Sequence, residues 1–303
     1  MNWKQIFFSG ASLRLGWNLL FYLFIVTITI AVIVTPVVFL LSLFDLSPQI
    51  GKPVTGWTSI AGSIIVLFSG YFAFLIGTHL SQKWLRKKDL YELGLKLNRE
   101  SVKDLFYGIL LGGLIVGIEV FLCWIFGWYE LVGFSWQLND VGIIIPTFVL
   151  LLFTKIQPAL LEEVIFRGYF FQVFLERLSL KNTVLITSLL FGLLHFSSTA
   201  EYPWWAAITS AAIAGLLFAQ AYLFNNNLFL PIGIHYGWHI FGRLLNDTGV
   251  EVEKTILLVS NVTGPNLLTP TEGGGTSLFG LVGVGTVSLI LYYLKKAEIK
   301  SHS

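Results

Sequence analysis

Charge is scarce in this chain. Asp, Glu, Lys and Arg make up 12% of its 303 residues, and hydrophobic residues make up 55%. Soluble domains carry about 25% charged residues, so the deficit excludes an ordinary soluble globule and leaves an integral membrane protein. Cysteine is nearly missing: Cys123 stands alone in an apolar stretch, can form no intrachain disulfide, and reads as a small packing residue. The net charge of +2 is too small for a nucleic-acid surface, and no nucleic-acid partner is expected. The first apolar stretch lacks a small-residue cleavage site and exceeds a signal-peptide core, so it is expected to stay as an anchor. No repeat of solenoid period and no soluble domain large enough to fold alone is evident.

What the chain does have is apolar length. A bilayer core takes about 20 mostly apolar residues per helix. Stretches near 17–44, 59–80, 105–127, 142–161 continuing toward 178, 182–197, 203–224, 227–246 and 276–294 meet that length, the fifth being short. The expected fold is all-α: a polytopic transmembrane bundle of about eight helices, one integral membrane domain over 1–303 with its motif core at about 142–246. Pro36, Pro146 and Pro158 fall inside these stretches and predict bends. Gly113 with Gly117, and Ala211 with Gly215, are small pairs four apart that predict close helix packing within the bundle.

Lysine and arginine sort by side. Fourteen fall in segments that alternate to one face, from Lys4 and Arg14 through the 83–103 cluster to Arg177, Lys181, Lys295, Lys296 and Lys300. Only Lys52 and Lys254 fall in the opposite loops, and Lys155, Arg167 and Arg243 fall within spans. Basic residues collect on the cytoplasmic side, which predicts both termini in the cytosol of a multi-pass protein, the plasma membrane being its place in a bacterium. The loop over roughly 246–275, with Gly273-Gly274-Gly275, is expected outside as a flexible connection.

Against this apolar background three ionisable clusters stand out: Glu162-Glu163 with Arg167, His195, and His235 with His239. Titratable groups at membrane depth are expensive and mark functional cavities. At 1.5 Å per residue, Glu162 lies about 22 Å from the end of its stretch near Arg177, and His195 about 20 Å into the next. His235 and His239 lie about 12 and 18 Å into theirs, so the clusters reach similar depth, consistent with a water-filled pocket open to the cytosol. Glu163 and Arg167 are four apart and share a helix face, which predicts an ion pair. Glu162 is turned about 100° away and is the freer carboxylate, suited to a general base. His235 and His239 are also four apart and can address one reacting group. Glu119 is a further intramembrane carboxylate that could line the cavity, pair with Lys155 or be structural. Taken singly, each motif also fits a solvated helix face, a core histidine or a helix-bridging pair.

Together, Glu162-Glu163-Val-Ile-Phe-Arg167-Gly168, Phe191-Gly-Leu-Leu-His195 and His235-Tyr-Gly-Trp-His239 resemble the EExxxR, FxxxH and HxxxN motifs of the CPBP family of intramembrane proteases. That family includes type II CAAX prenyl endopeptidases and bacterial Abi proteins. His239 departs from the family, which usually has Asn there. The resemblance implies metal-independent hydrolysis of a peptide bond by glutamate-activated water. Glu162 would be the base, His195 would hold the water, His235 and His239 would serve the oxyanion, and Glu163 and Arg167 would support the motif helix. It implies a peptide or protein C-terminal segment as substrate, a prenylated CAAX tail among the options, arriving from the cytosol or through a lateral opening of the bundle. No cofactor is expected. The runner-up is a zinc protease using Glu162, His195, His235 and His239, although the chain has no HExxH. A non-catalytic immunity factor, scaffold or transporter of the same fold is the remaining alternative. A transporter would be expected to repeat interrupted helices in two halves, whereas the polar cluster here is confined to the later half.

The orientation is directly testable. Cysteines introduced at Lys87 and Ser301 are expected to label only from the cytosolic side, and one at Gly274 only from outside. Labelling of position 87 from outside overturns the layout.

Overall fold

The structure is a computed structural model and describes residues 8–9, 12–46, 57–138, 141–196, 203–245, 257–270 and 277–301. Two short strands, β1 (Phe8–Ser9) and β2 (Ser12–Leu13), pair antiparallel ahead of α1 (Leu15–Leu43). Then come α2 (Trp57–Ser81), α3 (Arg99–Ile125), β3 (Tyr129–Phe134) and α4 (Val141–Thr154). A broken rod follows: α5 (Ile156–Glu163), a π-helical segment (Val164–Phe170) and α6 (Phe171–Leu175). The chain continues through α7 (Leu180–Leu194), α8 (Trp204–Asn225), α9 (Phe229–Leu245), β4 (Leu258–Val262) and α10 (Leu278–Ser301).

Among the described residues six rods are long and apolar enough to cross a membrane: Leu15–Leu43, Ile60–Arg86, Arg99–Ile125, Ile144–Leu175, Trp204–Asn225 and Leu278–Lys300. The protein is a multi-pass helical membrane protein. The fifth and seventh expected stretches are also helices, but α7 has 15 residues and α9 has 17, short of a full crossing. Two strand pairs differ from an all-helical reading, β1–β2 and a second one. Tyr129–Phe134 pairs antiparallel with Leu258–Val262, so part of the expected 246–275 loop is a strand. The Gly273–Gly275 run lies outside the described residues.

The basic residues of the described chain gather at one end of the bundle. There Arg86 and Lys88 pair with Glu176 at 2.6 and 2.8 Å, and Arg177 donates to the Leu13 carbonyl. Burial works against the Glu176 anion, but hydrogen bonds from Lys88 and Arg86 outweigh it and hold this carboxyl below the usual range. Asp104 binds the side chains of Asn225 and Asn227, and Lys295 caps the Phe224 carbonyl. The tight α8–α9 turn needs a left-handed residue, supplied by Asn226 at φ 52°.

Three features position the later helices. Pro158 lacks the N–H that would bind the Thr154 carbonyl, and the rod breaks just there, at Lys155. Two tyrosines occupy carbonyls beside the break: Tyr71 donates to Phe153 at 2.6 Å and Tyr236 to Leu152 at 2.9 Å. Pro36 and Pro146, in contrast, sit inside continuous helices. Finally, α3 and α9 meet backbone to backbone through Gly108, Gly112, Gly233 and Gly237. A Cβ at Gly108 would stand 2.5 Å from the Leu230 carbonyl oxygen, and one at Gly112 or Gly237 would collide with the carbonyl of Ile234 or Ile109. The expected Gly113–Gly117 pair is therefore off by a helix face. Gly113 meets the Phe241 ring, and a Cβ at Gly117 would meet nothing within 4 Å.

Overpacking a tight contact costs about 1–3 kcal/mol. Gly112→Val and Gly237→Val are expected to lower the thermal midpoint of the detergent-solubilised protein. Gly117→Ala is expected to leave it unchanged or slightly raised, because Ala favours helix over Gly. Equal effects at the three positions would refute the glycine seam.

Candidate active site

The three ionisable clusters converge. Glu162 and Glu163 end α5, Arg167 lies in the π segment, His195 follows the last residue of α7, and His235 and His239 lie on α9. A π segment widens the helix by a residue per turn and is frequent at functional sites.

The inner half is a buried charged unit. Arg167 Nη1 donates to Glu163 Oε1 at 3.0 Å, and Nη2 donates to the Gly215 carbonyl at 3.1 Å. His235 Nδ1 lies 3.0 Å from the same Glu163 oxygen. Both Glu163 and Arg167 are fully buried, so the pair must be matched internally. Three rings supply the rest of the match. The guanidinium carbon lies 4.4 Å from the centre of Phe191, 5.0 Å from Phe218 and 5.8 Å from Phe166, a cage of π faces around a cation. Phe218 also stacks on His235, with centres 4.8 Å apart and an interplanar angle of 16°. Gly215 has to be small: a Cβ there would lie 3.0 Å from Ser188 Cα. Phe191 belongs to a motif visible in the sequence, and Gly215 to a small-residue pair. Phe218 carried no signal, being one of 26 phenylalanines.

The outer half is more open. Glu162 Oε2 lies 3.7 Å from His195 Nε2, too far for a hydrogen bond, and it makes none among the described residues. His195 Nδ1 is 2.8 Å from the Phe191 carbonyl, which only accepts, so Nδ1 carries a proton and Nε2 in the neutral ring is an acceptor. The ring of Phe191 joins the two halves, 4.6 Å from His195 and 6.1 Å from His235. His239 stacks on His235 with centres 4.8 Å apart, and its buried Nε2 has no partner among the described residues.

Burial changes abruptly at Glu162. Toward the basic end, Val164, Phe166, Tyr169, Phe170 and Phe171 are buried, and Gly168 is covered by Leu93 and Leu228. Toward the other end, Glu162 and His195 keep 28% and 39% of their side chains exposed. Aromatic side chains fill the side toward the basic end. Glu119 also differs from one expectation. It accepts a hydrogen bond from Ser277, while the Lys155 side chain makes no hydrogen bond or ion pair among the described residues. Among the same residues no three His, Cys, Asp or Glu side chains are grouped to hold a metal ion.

Breaking a buried pair by removing one partner costs about 3–5 kcal/mol, because the other charge stays buried and unmatched. Arg167→Met is expected to destabilise strongly, and adding Glu163→Gln should recover part of the loss. Unfolding of both single variants and the double variant measures this. Losses that simply add would show that the two residues do not act as a unit.

No curated protein and no solved structure matches the chain. Residues 144–241 match the family model described as type II CAAX prenyl endopeptidase Rce1-like, and this stretch contains all three clusters. Over residues 144–241 the chain therefore carries an Rce1-like type II CAAX prenyl endopeptidase domain of the CPBP family.

Proposed function

We propose that the protein is an intramembrane endopeptidase, a single membrane domain that hydrolyses a peptide bond of a protein or peptide segment by glutamate-activated water. Membership of a prenyl endopeptidase family supports a protease acting on a peptide or protein. The observation that carries the mechanism is the 3.7 Å separation of Glu162 Oε2 and His195 Nε2, two acceptors facing one another. One water fits against both, donating a hydrogen to each, with a lone pair left for the scissile carbonyl carbon. Glu162 takes the proton as the C–O bond forms, and His195 keeps the water aligned and helps relay that proton to the leaving amine as the C–N bond breaks.

Two histidines serve the carbonyl oxygen. His239 donates from a ring N–H, and the unpartnered Nε2 is the atom suited to it. His235 turns Nδ1 to Glu163, which holds the ring in place and leaves Nε2 for the carbonyl oxygen. Glu163 and Arg167 thus position His235 and the helix carrying Glu162.

With the basic end in the cytosol, the partly exposed Glu162 and His195 side chains lie on the side away from it. A segment reaching the outer leaflet or the non-cytosolic face is then a better substrate than a prenylated cytosolic tail.

Glu162→Gln keeps the shape but cannot take the proton, and is expected to abolish cleavage in a folded protein. Mass spectrometry of the membrane proteome, wild type against this variant, reads the cut site. His239→Asn keeps a donor and should retain substantial activity, whereas His239→Leu should lose about 10²–10³ in kcat. Stoichiometric zinc lost together with activity on His239→Asn would replace the glutamate mechanism by a metal one.

A further inference from the structure

Two polar attachments tie α9 to the rod that carries Glu162, and the chemistry above uses only one. His235 Nδ1 meets Glu163 Oε1 at 3.0 Å, and the next residue, Tyr236, donates its hydroxyl to the Leu152 carbonyl at 2.9 Å. Successive residues of a helix point about 100° apart, and these two reach opposite sides of the break at Lys155. The bent rod thus holds α9 from both of its arms. Apolar packing accompanies the hydroxyl: Tyr236, Ile240 and Leu244, spaced by four, share a cluster with Phe148, Leu151 and Leu152 of α4. Such packing has no direction, whereas a hydrogen bond from a phenol to a carbonyl fixes where the ring must stand.

His239 is the group that needs such a tie. It lies three residues beyond Tyr236, on the neighbouring turn of α9. Its buried Nε2 has no partner among the described residues, and a ring stacked on His235 at an interplanar angle of 28° follows the helix that carries both. We propose that Tyr236 is a positioning residue, whose hydrogen bond to Leu152 sets the rotation of α9 and so aims His239 at the carbonyl oxygen of the substrate. A second phenol at the same break provides the comparison: Tyr71 donates to the Phe153 carbonyl at 2.6 Å, but from α2, which carries none of the candidate site residues. The inference rests on the peptidase reading, and its first readout needs no turnover.

Carbethoxylation of the histidines by diethyl pyrocarbonate, resolved by site with mass spectrometry of the detergent-solubilised protein, reports how firmly His239 is held. Tyr236→Phe keeps the ring and loses only the hydroxyl, and is expected to speed modification of His239 about fivefold, the population shift that one net hydrogen bond restrains. Tyr71→Phe removes the comparable bond from α2 and is expected to leave the His239 rate unchanged. His79 on α2 is the internal reference for an intact fold. Equal His239 rates in wild type and Tyr236→Phe, the same rise in Tyr71→Phe, or a rise shared by His79 would overturn the proposal. At a cut site found in the membrane proteome, Tyr236→Phe should lower kcat about tenfold at unchanged KM, because a slightly misplaced oxyanion donor acts on the transition state. In His239→Leu protein the same change should cost nothing further, and an equal loss in both backgrounds would show a merely structural role and sink the aiming of His239. Absence of any cleavage by wild-type protein counts against the peptidase reading alone.

Discussion

The site depends on keeping one guanidinium inside a membrane bundle. An isolated cation there is costly, and Arg167 meets that cost with a carboxylate, a backbone carbonyl and three aromatic faces. Each partner comes from a different part of the chain: Glu163 from the preceding turn, Gly215 and Phe218 from α8, Phe191 from α7. Satisfying Arg167 therefore fixes where α7 and α8 sit against the broken rod. His235 joins the same carboxylate, so α9 is registered by the same charge.

That arrangement explains why two adjacent glutamates differ. Glu163 is committed through Oε1 to Arg167 and His235 and is fully buried, while Glu162, a third of a turn round the helix, keeps part of its side chain exposed. Glu163 Oε1 is thus engaged by two donors, whereas Glu162 Oε2 meets only the His195 ring at 3.7 Å. The glycine seam contributes at longer range. By letting α9 press its backbone onto α3, Gly233 and Gly237 bracket His235 and fix the rotation that aims it at Glu163.

Much of this was legible in the sequence, for physical reasons. Apolar length gives the rods, four-residue spacing gives the Glu163–Arg167 contact and the stacked histidines, and Pro158 gives the break. What escaped is whatever depends on helix rotation. A helix that is apolar all round carries no pattern to say which face meets a neighbour, so Gly113 and Gly117 looked as good as Gly108 and Gly112. For the same reason Phe218 could not be told from its many equivalents. Depth along each helix was readable; which side of that depth is filled with aromatic rings was not. The β3–β4 pairing joins segments far apart in sequence, and local pattern does not report such a partner.

Packing toward the basic end bears on access to the candidate site. Glu162 lies thirteen residues from Leu175, about 20 Å from the basic end, and the intervening turns are packed with Phe166, Tyr169, Phe170 and Phe171. A peptide entering there would have to displace a close-packed aromatic layer and disturb Arg167, which costs far more than a binding event returns.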